Sequence, residues 1–229
     1  MGNEETYPKI GYREGEVAGV LCEILEYADE RMAETFRVEL YPWSRAYSYA
    51  LTENVGIVGI SQTAERSDIF DFSMTLFHDE VILVVKKGEE FDFNSYADLQ
   101  GKVVGVCRNC SFGPAYEEAK NTFSIVPDGG IEQRLRLLLA SRTDVAIVNP
   151  GREGLSHELE KISDLYPEQF TVLETPMEID PNYLAFSKSQ DREEFLDRFN
   201  RVIKEGVENG DIRKIIEEYC DLPSQSPVP

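Results

Sequence analysis

The stretch SQTAERSDIFDFS, Ser61–Ser73, sets a single arginine between two apolar runs, VGIVGI at 55–60 and IFDF at 69–72. The first run is short, β-branched and uninterrupted by charge, which predicts a buried strand. The segment around Arg66 reads as a loop leaving that strand. Two readings of Arg66 follow. It offers a planar fork to an anion, or it pairs on the surface with Glu65, Asp68 or Asp71.

Outward from this stretch, strands and helices alternate. Residues 17–34 carry apolar side chains at helical spacing, and Gly19 near their start fits close packing or a cap. FRVELY (36–41) alternates like a strand, 44–54 reads as a short helix, and VILVVKKG (81–88) as a strong strand. The texture then restarts. Strands are expected at 103–107, FSIV, 144–149, FTVLET and NYLAFSK, and helices at 95–102, 111–121, 130–142 and GLSHELEKISDLY. Two closing helices in 191–220 are broken at Asn209-Gly210. The tail PSQSPVP is polar and Pro-rich, read as disordered or as a linker stump. Such alternation predicts an α/β protein with largely parallel sheets. The pattern occurs twice, with crossings near 80–86 and 182–187, so the chain leaves a first lobe and later returns to it.

The chain has 229 residues, 41% of them hydrophobic, enough for one large domain or two small ones. Its 43 acidic residues against 23 basic ones give a formal net charge of -20, a surface that repels nucleic acid and anionic lipid. No apolar run reaches the roughly 18–20 residues that span a bilayer. The start, MGNEETYPK, is acidic and polar, unlike a signal peptide. Of the four cysteines, Cys107 and Cys110 have CxxC spacing. One such pair, with His78 and His157 far off in sequence, leaves inert thiols, a local disulfide, or metal or redox work open. Cys22 and Cys220 are expected in helices, singly or paired.

Six segments then converge: PWSRAY (42–47), VGIVGIS, TAERSDIFDFS (63–73), DLQGKVVGVCRNCS (98–111), SRTDVAIVN (141–149) and NGDIRKIIEEY (209–219). In this order and spacing they resemble the bacterial family 3 solute-binding proteins, periplasmic receptors of amino-acid ABC transporters. The T-x-E-R step followed by DFS is the most specific of them. The resemblance covers about residues 6 to 222 and implies a two-lobe periplasmic binding protein-like (type II) fold. Two α/β lobes are joined by two extended hinge strands, with lobe 1 at 1–83 and 186–229 and lobe 2 at 84–185.

The resemblance also implies roles. Arg66 stands where the ligand's α-carboxylate is gripped. Ser61 matches a hydroxyl binding the carboxylate or amine, or is a strand-end serine bonding its own backbone. Trp43, the only tryptophan, falls near an aromatic that walls the ligand, or is plain core. Tyr7, with Tyr12 as second candidate, matches a tyrosine that stacks on the ligand, or covers the rim. Ser111 keeps a hydroxyl where the family opens a helix with Gly-Thr-Thr, and it could equally be an ordinary N-cap. Asn149 occupies the position where an aspartate usually meets the ligand's ammonium; it could also cap the turn before Pro150. An amide cannot neutralise an ammonium. Either another acid substitutes, such as Glu153 or Asp180, or the ligand lacks an amine. The family's first strand has only MGNEET in its place, so it is expected to be short or missing.

These implications amount to a monomeric extracytoplasmic (periplasmic or extracellular) solute-binding protein. It takes a small-molecule ligand, an amino acid or small carboxylate, and a membrane permease as partner; it has no cofactor, metal or catalytic residues. A ligand-sensing domain of a signalling receptor is the alternative. A cyclohexadienyl dehydratase-like enzyme, with His78 or His157 as its acid or base, ranks third.

Overall fold

A computed structural model describes residues 1–3 and 5–220. The PSQSPVP tail lies outside the described residues. The chain divides into two compact units: Met1–His78 with the chain from Pro181 onward, and Asp79–Asp180. Two ten-residue strands, Phe77–Lys86 and Glu178–Ser187, carry the chain between them. The boundaries expected at 83/84 and 185/186 lie in these same strands, five residues downstream of the division.

In the first unit the return strand is central. It pairs antiparallel with Ile57–Ser61 on one side and with Phe70–Phe72 on the other. The register slips at Gly59, where the partner of Tyr183 is Ile60 and that of Leu184 is Val58. Gly59 has φ +78°, so a bulge residue in the left-handed region fits there without strain. The bulge brings Ser61 opposite Asn182. Ser73, the serine of DFS, locks the other edge. Its amide donates to the Leu184 carbonyl at 2.8 Å, and its Oγ accepts from the Leu184 amide at 3.0 Å.

The helix Val20–Met32 packs its apolar stripe, Leu21, Ile24, Leu25 and Ala28, into a core with Phe199 and Ile203 of the helix Glu193–Glu208 and with Ile212 and Ile216 of the helix Asp211–Glu217. Gly19 precedes the first of these helices at φ +124°. A Cβ there would stand 2.7 Å from both the Pro8 and Lys9 carbonyls, which accept from the Val20 and Leu21 amides. Glycine thus lets the helix begin against the segment that carries Lys9.

In the second unit Ser124–Asp128, Val103–Cys107 and Val145–Val148 run parallel in that spatial order, and Phe77–Lys86 joins antiparallel. The continuous apolar runs are explained by two covered faces. Val81, Leu83, Val85, Val145 and Ile147 pack into one cluster; Ile82, Val84, Ala146 and Val148 pack into another. Arg134, 1% exposed, ties the strand ends together. It grips Asp128 through two bonds of 2.8 Å, and its third nitrogen donates to the Ile147 carbonyl at 2.6 Å.

Several expectations are corrected. The Arg66 segment is not a loop: Ala64–Ile69 is helical, with Thr63 as N-cap. FRVELY contributes only Leu40–Tyr41 as strand. Residues 16–18 form a hairpin edge with Ile10–Arg13, so the first helix starts later, at Val20. The sheets are mixed, because both crossing strands pair antiparallel with their neighbours. The first strand survives as Gly2–Asn3, parallel to Leu40–Tyr41. Of the readings left open for Cys107 and Cys110, the local disulfide is the one formed; Cys22 lies in the helix Val20–Met32, whereas Cys220 follows the end of the helix Asp211–Glu217.

Two stability predictions follow from buried charge. Arg134→Met strands the Asp128 carboxylate, which costs about 3–5 kcal/mol and lowers the thermal midpoint by roughly 10 °C. Arg134→Met/Asp128→Leu removes both charges and loses less than the single change, as circular dichroism melts will show. Glu80 behaves oppositely to a paired acid. Burial raises its pKa above 4.5, Glu153 raises it further, and Arg152 only partly opposes them. The native state then holds the proton more tightly than the unfolded chain, so stability declines as pH rises from 4.5 through the raised value. Glu80→Gln is expected to melt higher than the parent at pH 7, with the gain gone by about pH 4.

Candidate functional site

The first unit gathers Ser61, Arg66 and Trp43. The strand Ile57–Ser61 ends at Ser61, and Thr63 caps the next helix by accepting the Arg66 amide at 3.2 Å. This turn folds Arg66 back on its own strand. One guanidinium nitrogen donates to the Ser61 carbonyl at 2.8 Å across five residues. The guanidinium carbon lies 5.5 Å from the Trp43 ring centre and 5.6 Å from that of Tyr47. Trp43 and Tyr47 are four residues apart on the helix Trp43–Thr52, hence on one face. Tyr47 leans edge-on against Phe70, 5.6 Å between centroids.

Arg66 is 7% exposed, whereas Glu65 and Asp68 are on the surface and Asp71 stands 3.6 Å from Lys188. The planar Arg66 cation is fixed in angle by a carbonyl and two rings, an arrangement suited to a second planar, anionic group. In the same unit, Lys9 is 3% exposed and donates to Asn182 Oδ1 at 3.0 Å. Asn182 is the strand partner of Ser61. Tyr7 is edge-on to Tyr219 at 6.3 Å. Tyr12, 43% exposed, stands on the Ile10–Arg13 hairpin strand.

In the second unit, Ser111 and Asn149 lie beyond the carboxyl ends of Val103–Cys107 and Val145–Val148, adjacent parallel strands. The carboxyl edge of such a sheet is where α/β proteins place ligands. Ser111 is not the N-cap of the following helix. Gly113, at φ +101°, takes that place before Pro114–Ala119. The Cys107–Cys110 bridge closes the turn that leads to Ser111. Asn149 does not cap the turn before Pro150 either: its amide nitrogen donates to Asp79 Oδ2 at 3.2 Å.

Asp79 is 1% exposed and heads the second unit's part of the Phe77–Lys86 strand. Of the acids considered from sequence, Glu153 is exposed and faces Glu80 around Gly151. Asp180 is 2% exposed and lies toward Gly113, 3.4 Å from a Cβ built there. Among the described residues no three His, Cys, Asp or Glu side chains are grouped so as to hold a metal ion.

Lys9, Tyr47, Thr63, Asn182 and Asp79 were missed by sequence reasoning. Thr63 was findable, being an N-cap type three residues before Arg66. Tyr47 was findable from its i+4 spacing to Trp43. Nothing local marks Asp79 or Asn182, whose partners are 70 and 173 residues away.

The chain is similar to known proteins in sequence and in fold. The chain is 26% identical over 231 residues to the arginine-binding extracellular protein ArtP of Bacillus subtilis, covering 96% of this chain and 84% of that protein. The crystal structure of the arginine-, lysine-, histidine-binding protein ArtJ of Geobacillus stearothermophilus aligns with TM-score 0.77 at 17% identity, covering 98% of this chain and 95% of that one. A histidine kinase sensor domain with similarity to periplasmic binding proteins aligns with TM-score 0.79 at 20% identity, covering 95% and 93%. These structures establish a type II periplasmic-binding-protein fold, two α/β lobes joined by two strands. With residues 1–221 matched by the model of the bacterial extracellular solute-binding proteins, family 3, the chain belongs to that family.

Proposed function

We propose that this protein is an extracytoplasmic receptor that captures a free L-amino acid through its carboxylate and delivers it to a membrane permease for ABC-type uptake. The observation that carries the reading is the Arg66 guanidinium, withdrawn from solvent and held in angle by the Ser61 carbonyl, Trp43 and Tyr47. A buried, oriented guanidinium binds a carboxylate through two parallel charge-assisted hydrogen bonds. The low dielectric around it strengthens both. Ser61 contributes a hydroxyl to the carboxylate. Trp43 and Tyr47 are the apolar wall, and Tyr7, near Lys9, is a further aromatic contact. Capture is reversible binding without chemistry, and the arginine-binding relative makes L-arginine the first probe.

A second reading, the input domain of a signalling receptor, is favoured by the likeness to the histidine kinase sensor domain. Docking of the ligand-loaded protein on a permease in proteoliposomes, read as stimulated ATP hydrolysis, separates the two: a transport receptor stimulates and a sensor module does not.

Titration calorimetry with the L-amino acids tests the reading. Arg66→Ala is expected to weaken binding about 100-fold or more, the worth of two charge-assisted bonds. Arg66→Lys recovers only part, because an ammonium makes no planar fork. The single tryptophan supplies an independent signal: its emission changes as ligand meets Arg66, and Arg66→Ala abolishes that change. Unaltered affinity in Arg66→Ala would overturn the assignment.

A further inference from the structure

We infer that Tyr219 is a positioning residue for ligand binding: its ring fixes the angle of the Tyr7 ring, so that affinity depends on a side chain just beyond the helix Asp211–Glu217. This rests on the receptor reading above and adds to it a residue that acts on the ligand through Tyr7.

The contact closes a three-cornered frame within the first unit. Tyr7 and Tyr219 meet edge-on, 6.3 Å between ring centres and 68° between planes, a geometry that aromatic pairs prefer. The Tyr219 hydroxyl donates to Glu23 Oε1 at 2.9 Å. Glu23 stands in the first turn of the helix Val20–Met32. The first two amides of that helix, Val20 and Leu21, donate to the Pro8 and Lys9 carbonyls at 2.9 Å each. The segment bearing Tyr7 is thus tied to the helix through its backbone, and the Tyr7 ring is tied to the same helix through Tyr219. Tyr7 also backs onto Gly11, where a Cβ would stand 2.9 Å from Tyr7 Cβ. Burial, with the Glu23 carboxylate second, pushes the Tyr219 phenol up to about 12, so at neutral pH it keeps its proton and stays a donor.

The same segment leads to Arg66. Lys9 donates to Asn182 Oδ1 at 3.0 Å. Asn182 is the strand partner of Ser61, whose carbonyl receives the Arg66 guanidinium at 2.8 Å. A side chain recruited to a ligand gives up rotamer freedom when it binds, and a ring that is already held gives up less. Tyr219 supplies that hold. It also packs against the first unit's apolar core. A packing role alone would make its loss lower stability and leave the affinity of the folded protein as it was.

A double-mutant cycle in ligand affinity separates the two roles. Calorimetry on the full chain would use L-arginine and the other L-amino acids, with tryptophan emission as the signal for weak binders. Tyr219→Met keeps bulk and removes the ring; it is expected to weaken the amino acid that binds the parent by about fivefold. Tyr219→Phe keeps the ring and loses only the bond to Glu23, with an expected loss of about twofold. Tyr7→Leu is expected to weaken binding by about tenfold. In the Tyr7→Leu background both Tyr219 losses are expected to vanish, because no ring remains for Tyr219 to position. Melting each variant without ligand checks folding; if Tyr219→Met fails to fold, Tyr219→Phe taken through the same cycle still decides. Unchanged affinity in folded Tyr219→Met, losses that persist in the Tyr7→Leu background, or a Tyr7→Leu protein that binds as the parent does would each overturn the assignment while leaving Arg66 in its role. No binding of any amino acid by the parent would overturn the receptor reading itself, and this inference with it.

Discussion

Burial of the Arg66 guanidinium is the constraint on which the first unit's site is built. An isolated cation withdrawn from water is costly, and it persists only where carbonyls, rings and anions replace its hydration. Each local feature serves that end. Thr63 caps a helix of only six residues so that the chain turns at once after Ser61. Trp43 and Tyr47 come from one face of a neighbouring helix and lie within 6 Å of the charge. Ser73 fastens the far edge of the sheet so that the turn cannot drift. The short helix is stable because it is pinned at both ends, not because of its own propensity.

The two crossing strands do more than connect. Phe77–Lys86 contributes Asp79 to the second unit, and Glu178–Ser187 contributes Asn182 to the first. Each has ten residues, long for strands in globular proteins, and each is the antiparallel member of the sheet it enters.

The fold was legible because its signals are local. Alternating strands and helices, the apolar runs at 57–60 and 81–85, and the Asn209-Gly210 break are all visible within windows of a dozen residues. Two crossings near 80–86 and 182–187 declared a chain that leaves and returns. What escaped was set by tertiary context. The helical turn at Ala64–Ile69 is too short and too polar to show a period, and its cap does the work of specifying it. FRVELY alternates like a strand but finds a partner only at Leu40 and Tyr41. Asn149 announced a missing acid, and the sequence offered Glu153 and Asp180 because one is near in the chain and the other near a crossing. The Asn149 side chain instead donates to Asp79, 70 residues away, which the pairing of Val148 with Ile82 brings alongside.

The overall charge bears on which ligand such a site would admit. A chain of net charge -20 surrounds itself with a negative potential that extends about 8 Å at physiological ionic strength. A dicarboxylate approaches against that field and a cationic amino acid approaches with it. The carboxylate of an amino acid is then recognised only at contact, where Arg66 is shielded from solvent and close enough to outweigh the surface. The opposite, cationic end of the molecule gains from the field throughout its approach. An arginine set in an acidic protein is in this sense selective twice. It attracts the anion at contact, and the surrounding negative field favours an anion that arrives attached to a cation.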